Sequence, residues 1–344
     1  MTFTLHSPAH YRVISVNKMA QLENLAVLFL HAWLLWSSST GAPQPVIIDT
    51  DIGSDIDDSF AIGFALQSSQ DLDVKLIVTS TDDTTTRAKI LGKLLTIAGK
   101  DTVPIGLGIE NENNTRHTLW GWAEDFDLSS YKGGVYPNGV DQMAKIILES
   151  DTVVDIIAIA PMINFPSLLQ KYPDVVKKAR IRAMAGSIYK GYDNSSIPAE
   201  EYNVQMCSSC MQQLLQAGWS VTLTPLDTCG VTNLSPQYSD PFIAASTPWS
   251  YGLGASLLYF CTVLQCELNK QSSPMYDTVA TLLTLPEVNN YVEFKTLDLT
   301  VTSDGHTVVN NQGGVAVQVA LYWKNNTAGL DQFRKYMIDV LIKT

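Results

Sequence analysis

Short apolar runs alternate with helix-like stretches from residue 43 to the end of the chain. Runs rich in β-branched residues predict strands at 46–48, 74–79, 153–159, 181–184, 220–225 and 295–302. Stretches of helical composition predict helices at 59–67, 84–98 and 166–171. Because strands that alternate with helices form parallel βαβ units, the pattern predicts one α/β domain with a mostly parallel central sheet flanked by helices. Such sheets bind ligands at the carboxyl ends of their strands, so polar residues after each apolar run are candidate site residues.

The segment before this domain has a different pattern. Residues 25–36 form an uncharged apolar run, and small residues follow it at 37–42. The run is shorter than the roughly 20 residues that span a bilayer, so no stable membrane span is expected. An apolar run of this length before small residues is typical of a secretory signal. We therefore expect residues 1–42 to be a signal peptide or leader of a secreted protein. The alternative is an uncleaved N-terminal segment that anchors the protein.

Composition excludes some classes of partner. Apolar residues make up 46 % of the 344 residues, enough for a sizeable core. The 34 acidic and 22 basic residues give a formal net charge of −12. Since nucleic-acid phosphates require a basic binding face, this balance argues against a nucleic-acid polymer as partner.

Two of the five cysteines are spaced as in a redox or zinc pair. These are Cys207 and Cys210, in the segment Cys-Ser-Ser-Cys. No second pair and no histidine follows at zinc-finger spacing, so a zinc site is not expected. The spacing leaves a local disulfide or two buried thiols as the interpretations.

Five aspartates follow the first predicted strand within ten residues: Asp49, Asp51, Asp55, Asp57 and Asp58. So many like charges in one strand-to-helix turn repel one another unless something offsets them. A helix N-terminus favours one or two carboxylates, which does not explain five. A hard divalent cation takes several carboxylate oxygens at once, so the cluster predicts a cation site rather than a solvated turn.

This segment resembles the signature of the nucleoside hydrolase family of the inosine–uridine type, which has an Asp-x-Asp, a glycine and a closing Asp-Asp. Three later segments resemble further family motifs in the same order: 157–164, 199–203 and 273–277. The resemblance implies a Rossmann-like nucleoside hydrolase fold over residues 43–344. It also implies a Ca²⁺-dependent enzyme, dimeric or tetrameric, that splits a small nucleoside into free ribose and a nucleobase.

The resemblance also assigns roles to individual residues. Calcium ligands would be the carboxylates of Asp51, Asp58 and Asp277 and the backbone carbonyl of Ile159. Asp51 would also act as the general base, and Asp49 would order the loop from behind. Ribose hydroxyls would be bound by Asp57, Asn194, Glu201 and Asn203. Asn194 also begins a glycosylation sequon, and a glycan there would block the site, so only one of its two interpretations can hold.

Two positions depart from the family pattern. A family asparagine after the second strand is replaced by Asp82 and Asp83, so one of these carboxylates is expected on the ribose or metal side, and we assign Asp82. The family histidine that protonates the departing base is replaced by Tyr276, a weak acid with an ordinary pKa near 10. Tyr276 is nevertheless the catalytic candidate at that position. After the leader, the chain has two histidines that could protonate the departing base, His117 and His306.

Two other functions compete with hydrolysis of nucleosides. The Tyr276 substitution is compatible with a non-catalytic nucleoside- or sugar-binding protein on the same scaffold. Asp49 and Asp51 after an apolar strand also resemble the nucleophile motif of haloacid dehalogenase-type phosphatases. That family needs a later lysine and an acidic pair, for which the chain offers no convincing set.

Overall fold

The computed structural model describes residues 41–111, 117–264 and 270–343. The predicted leader and anchor segment therefore lies outside the described residues, apart from residues 41 and 42. Residues Pro43–Thr344 group into one compact unit. Within the described part of the chain, no helix is both long and apolar enough to cross a membrane.

The described strands form one ten-stranded sheet with β1 near its centre. The strands are β1 Gln44–Thr50, β2 Leu72–Thr79, β3 Ile105–Leu107, β4 Val135–Tyr136, β5 Val154–Ala158, β6 Ala179–Met184, β7 Ser220–Thr224, β8 Val292–Val301, β9 Thr307–Val309 and β10 Val315–Trp323. Their spatial order is β4-β3-β2-β1-β5-β6-β7-β10-β8-β9. Every pairing from β4 to β10 is parallel, and β8 and β9 are added in antiparallel pairings. The prediction of a mostly parallel α/β sheet is confirmed.

Helices connect the strands and cover the sheet. They are α1 Asp57–Gln67, α2 Thr84–Ile97, α3 Gly139–Glu149, α4 Asn164–Lys171, α5 Tyr202–Met206, α6 Ser208–Gln216, α7 Leu226–Cys229, α8 Pro236–Ala244, α9 Pro248–Leu264, α10 Thr278–Leu282, α11 Val288–Tyr291 and α12 Thr327–Leu341. Short 3₁₀ turns lie at Trp120–Ala123, Leu128–Ser130, Pro173–Lys177 and Tyr192–Asn194.

Strand β1 shows why the sheet is buried on both sides. Val46 and Ile48 pack into one apolar cluster, while Ile47 packs into a second cluster. Side chains alternate between the two faces of a strand, so a strand covered on both faces is apolar at every position. The continuous apolar run at 46–48 is the sequence signal of this double burial.

The order of the strands creates a crevice beside β1. The chain moves outward from β1 through β2 and β3 to β4, then returns to place β5 on the other side of β1. Open α/β sheets bind ligands where the strand order reverses in this way, outside the carboxyl ends of the two neighbouring strands. In this fold that point lies just after residues Thr50 and Ala158.

Candidate active site

A cavity of about 570 Å³ opens at this point of the sheet. Its lining residues are Asp51, Ser54, Asp55, Asp57, Asp58, Asp82, His117, Ile159, Met184, Tyr192, Glu201, Tyr202, Asn203, Met206, Tyr276 and Asp277. Nine of the ten predicted site residues belong to this lining. The tenth, Asn194, is exposed and does not line the cavity.

The loop after β1 is held by one buried side chain from α2. The Arg87 guanidinium donates to the backbone carbonyls of Asp51 and Ile52, the latter at 3.0 Å. Gly53 has φ of +109°, and a Cβ atom there would lie 2.6 Å from Ile90 Cδ1. Glycine is therefore required for both its backbone conformation and its close packing. Together these contacts turn the aspartates of the loop toward the cavity.

Four buried carboxylates, which we name the acidic wall, form one side of the cavity: Asp51, Asp57, Asp58 and Asp277. Carboxylate oxygens of Asp57, Asp58 and Asp277 all lie within 4.8 Å of one another. Burial and the repulsion of neighbouring carboxylates raise the pKa of each of these three well above its usual range. Asp58 accepts a hydrogen bond from the Thr50 hydroxyl.

The acidic wall fits a hard divalent cation. Its donors are oxygens, they converge to the spacing of ligands on one ion, and they carry a charge that burial makes costly. Asp58 and Asp277 belong to the predicted ligand set. Asp57, predicted as a ribose ligand, lies within the same group of three, whereas Asp51 lies beside it. Since calcium takes six to eight oxygens, the site has use for all four carboxylates.

Asp49 lies behind the acidic wall rather than in the cavity lining. Its Oδ1 accepts a hydrogen bond from Asn164 Nδ2 at 2.6 Å, while its buried Oδ2 has no hydrogen-bond partner. Burial, opposed by the Asn164 bond, raises the pKa of Asp49 to about 7. The Ile159 backbone N–H donates to the Asp49 carbonyl at 2.8 Å, which joins the ends of β1 and β5. This placement agrees with the expected supporting position of Asp49.

Three groups form what we name the ion-pair wall: Asp82 and His117, which line the cavity, and Arg87, which is buried outside the lining. Arg87 Nη2 lies 2.9 Å and His117 Nε2 lies 2.5 Å from the same Asp82 oxygen. Arg87 is fully buried, and the Asp82 side chain is 2 % exposed. Here the negative charge has its counter-charge within the protein.

The backbone decides which of the two aspartates after β2 enters the cavity. Thr81 and Asp82 have φ of +66° and +47°, a conformation that costs about 1–3 kcal/mol for such residues. This left-handed turn places Asp82 in the cavity lining. Asp83 instead accepts a hydrogen bond from the Thr86 N–H at 2.9 Å and caps α2. The cavity lining thus contains Asp82 and not its neighbour Asp83.

Glu201 and Asn203 lie at the start of α5. Glu201 caps the helix by accepting from the N–H groups of Asn203 and Val204, at 2.9 and 3.2 Å. Outside the helix, the Glu201 carboxylate also accepts a hydrogen bond from the Gly186 N–H at 2.9 Å. Burial raises the pKa of Glu201 to about 7 against the effect of these donors. Asn203 Nδ2 donates to the Met184 carbonyl at 3.1 Å, which fixes the helix to the end of β6.

Three tyrosines form an aromatic rim on the cavity. The rings of Tyr192 and Tyr276 meet edge to face with centroids 6.3 Å apart. The Tyr202 N–H donates to the Tyr192 hydroxyl at 2.8 Å. Burial raises the pKa of Tyr276, so its hydroxyl stays protonated across the neutral range. Tyr192 comes from the same 3₁₀ turn as Asn194, and of the two it is Tyr192 that lines the cavity.

His306, the other histidine considered, lies elsewhere. Its Nδ1 is 3.4 Å from Asp304 and 3.8 Å from Glu200, and it is not part of the cavity lining. Of the two histidines, only His117 therefore faces the site.

Comparison with known proteins identifies the class of protein. A family model described as inosine-uridine preferring nucleoside hydrolase matches residues 46–330. The pyrimidine-specific ribonucleoside hydrolase RihA of Citrobacter koseri is 29 % identical over 270 residues, which are 72 % of this chain and 82 % of that protein. RihA of an Escherichia coli strain is 27 % identical over 265 residues, with the same two coverages.

Solved structures agree on the fold. A plant nucleoside hydrolase, PpNRh1, has a TM-score of 0.74 at 18 % identity, and the match covers 88 % of this chain and 100 % of that one. An inosine-guanosine nucleoside hydrolase has a TM-score of 0.71 at 19 % identity, covering 88 % and 99 %. Fold and family together define an enzyme of the nucleoside N-ribohydrolase class. The chain belongs to the inosine-uridine preferring nucleoside hydrolase family.

Several residues of the site were not predicted. Arg87 is the most consequential, and a helical arginine in a polar segment carries no signal of its buried position. Met184 and Met206 add apolar surface, and Tyr192 and Tyr202 add aromatic surface. Tyr202 lies within the family-like segment 199–203 and Tyr192 lies two residues before Asn194, and these positions are the signal that could have found them.

Proposed function

We propose that this protein hydrolyses the N-glycosidic bond of ribonucleosides in a calcium-dependent reaction and releases ribose and a nucleobase. The observation that carries the proposal is the group of three buried carboxylates, Asp57, Asp58 and Asp277, in the cavity where the strand order reverses. A structural ion-pair network needs a counter-charge there, and the one cation among the described residues whose charge acts on Asp58, Arg87, is already paired with Asp82 at 2.9 Å. A site for a cation and a developing positive charge explains the arrangement.

Asp51, Asp58 and Asp277, with the Ile159 carbonyl and with Asp57 beside them, would hold the calcium ion. When bound, calcium offsets the carboxylate charge and lowers the pKa of an adjacent water molecule. We assign Asp51 as the general base because it lines the cavity beside the group and burial raises its pKa above the ordinary value of an aspartate.

The other lining residues act on the ribose. Cleavage of a glycosidic bond builds positive charge on the sugar, and the nearby carboxylates stabilise that charge. We assign Glu201, Asn203 and Asp82 to the ribose hydroxyls, since they surround the cavity from the ends of β2 and β6. Groups that hold the sugar in one orientation lower the barrier by positioning it for attack.

We assign His117 as the acid that protonates the departing base. It lines the cavity, and its Nε2 lies 2.5 Å from a carboxylate oxygen of the buried Asp82, which orients the ring. Tyr276 keeps its proton at neutral pH, so it contributes a hydrogen-bond donor and a ring surface rather than a transferable proton.

The test is an assay of the purified protein with uridine, cytidine, inosine, adenosine and guanosine. Pyrimidine nucleosides come first because the named RihA relatives are pyrimidine-specific. Reducing sugar is followed with added calcium and after treatment with a chelator. We expect ribose release that the chelator abolishes. No ribose from any nucleoside at saturating calcium overturns the proposal, and nucleoside binding without turnover selects the non-catalytic binder. Phosphate release from sugar phosphates alone selects the phosphatase.

Two further properties are part of the proposal. The apolar run at 25–36 supports secretion, and expression of the full chain followed by N-terminal sequencing of the exported protein tests it. The family resemblance supports a homodimer or homotetramer, which sedimentation of the purified protein tests.

A further inference from the structure

A disulfide joins Cys207 and Cys210 at the junction of α5 and α6. Cys207 is the residue between the two helices and occupies the N-cap position of α6. The bridge spans a sequence separation of three. Stabilisation by a disulfide grows with the length of the closed loop, so such a short loop gives a small gain in stability. Another explanation is needed for a cysteine pair at this place.

The two sulfurs have different surroundings. Cys207 is half-buried and its Sγ lies near the Ser209 hydroxyl, whereas Cys210 is 7 % exposed and packs into an apolar cluster. The positive end of a helix N-terminus stabilises a thiolate and lowers the pKa of the thiol that forms it. An accessible first cysteine at a helix N-terminus, with a buried second cysteine one turn later, is the arrangement of thiol–disulfide exchange sites.

We propose that Cys207 and Cys210 form a thiol–disulfide exchange site, whose substrate is an external dithiol and whose state controls how firmly α5 is held in the cavity wall. One thiolate of the dithiol attacks Cys207 Sγ, the Cys207–Cys210 bond breaks, and Cys210 leaves as the thiolate. The second thiol of the reductant then attacks the mixed disulfide and releases Cys207. Two electrons pass from the dithiol, which becomes a disulfide, and each cysteine sulfur ends as a thiol.

The connection to the cavity runs through α5. Asn203 and Met206 line the cavity, and Cys207 is the next residue along the chain. Helix α6 is anchored separately, because Ser208 Oγ donates to the Ser303 carbonyl at 3.1 Å and Gln212 Nε2 to the Val301 carbonyl at 2.6 Å. The disulfide thus links the end of α5 to the first turn of α6, which these two hydrogen bonds hold in place. Its reduction frees that end, whereas the acidic wall lies on other parts of the chain, after β1, on α1 and before α10.

The first experiment measures exchange without any use of hydrolase activity. The full-length protein is equilibrated in buffers of reduced and oxidised dithiothreitol, then alkylated and analysed by peptide mass mapping. We expect the Cys207–Cys210 peptide to become reduced in the folded protein. In single variants, we expect Cys207 of Cys210→Ser to be alkylated at least about tenfold faster at pH 7 than Cys210 of Cys207→Ser. The buried free thiol of Cys229 is the internal control and should stay unlabelled.

The second experiment measures the effect on the cavity. Reduction should raise the KM for the nucleoside that is turned over by about three- to tenfold, with a smaller change in kcat. The double variant Cys207→Ser/Cys210→Ser should show the raised KM and no response to the reductant. A pair that stays oxidised until the protein unfolds overturns the proposal, as does reduction that leaves KM unchanged. A protein with no hydrolase activity leaves the alkylation result interpretable, so failure of the proposed function is distinguishable.

Discussion

The acidic wall and the ion-pair wall face the same cavity but balance charge in opposite ways. The acidic wall gathers four buried carboxylates, and burial raises the pKa of each, with repulsion between carboxylates adding to the effect at Asp57, Asp58 and Asp277. The ion-pair wall gathers Asp82, Arg87 and His117, and its carboxylate contacts a fully buried guanidinium at 2.9 Å. One wall therefore needs a cation from outside the protein, and the other carries its own.

This difference separates two kinds of buried charge. A neutralised pair is complete in the folded protein and can hold a loop in place, as Arg87 does for the carbonyls of Asp51 and Ile52. Buried carboxylates without a counter-charge destabilise the folded protein, and binding of a ligand to them offsets that loss of stability. We expect variants of the acidic wall to act mainly on catalysis and metal affinity, and variants of Arg87, the cation of the ion-pair wall that does not line the cavity, to act mainly on stability.

The largest expected effect is that of Asp51→Asn. Loss of the general base should lower kcat by about a thousandfold, the usual scale for such catalysis, and should weaken calcium binding. The measurement is ribose release together with a calcium titration. Asp83→Asn is the matched control, since Asp83 caps α2 outside the cavity and asparagine also caps helices well. Activity close to wild type in Asp51→Asn would show that another group is the base.

Arg87→Met should have the largest effect on stability. It leaves the buried Asp82 carboxylate without its main counter-charge, and removal of one partner of a buried pair costs about 3–5 kcal/mol. Urea unfolding measures the loss. Arg180→Met is the control, because Arg180 is 36 % exposed and its partner Asp155 keeps Arg182 at 3.3 Å. Equal losses for both variants would contradict the distinction between the two walls.

Removal of calcium should make the stability of the protein depend on pH through the carboxylates of the acidic wall. Without the cation, the folded pKa values of Asp57, Asp58 and Asp277 exceed the unfolded values. The folded state then holds more protons, so its stability falls as pH rises from about 4. Calcium displaces these protons, so the gain in Tm on adding calcium should increase as pH rises above the ordinary carboxylate pKa of about 4. Calorimetry of dialysed protein, with and without calcium chloride, measures this gain.

A calcium-induced gain in Tm that is the same at every pH would contradict the proton competition. Asp277→Asn is the informative variant, because it removes one of the three converging carboxylates. Its gain in Tm should be smaller than that of the wild type and should change less with pH.

The contrast between the walls also explains what the sequence could and could not predict. Most of the acidic wall comes from one short segment directly after β1, and the apolar run of β1 is visible in the sequence. The aspartate motif, with the rule that ligands bind at the carboxyl ends of strands, was therefore sufficient to predict this wall. The ion-pair wall depends on tertiary contacts and on backbone torsions. Whether Asp82 or Asp83 faces the cavity follows from the positive φ of Asp82 and its neighbour, which no pattern of residue types encodes.

The fold shows the same division. The longer central strands were predicted within a few residues, because burial on both faces leaves a continuous apolar run. Strands β3 and β4 have three and two residues, too few for a periodic signal. Strand β10 carries a β-rich run from Val315 to Trp323 that was not assigned. Helix α9 is uncharged along its length and lacks the polar face that marks a surface helix.

A smaller effect is expected for His117→Gln. Loss of a proton donor to the base should lower kcat for natural nucleosides by about a hundredfold. A riboside with a p-nitrophenolate leaving group needs no protonation, so its turnover should be nearly unchanged. His306→Gln, outside the cavity lining, is the matched control. An equal loss on both substrates would show that His117 serves only to hold Asp82.

The smallest effect is expected at Asn194, the one predicted site residue outside the cavity lining. Asn194→Gln removes the glycosylation sequon and keeps an amide, and KM should change by less than about twofold because the side chain is exposed. Asn203→Ala, which alters the cavity wall itself, should raise KM by about tenfold and serves as the comparison. Steady-state kinetics on deglycosylated and native protein measure both. A rise in KM for Asn194→Gln as large as that for Asn203→Ala would mean that substrate draws the turn at Tyr192–Asn194 over the cavity, and it would exclude a glycan at that asparagine in the active protein.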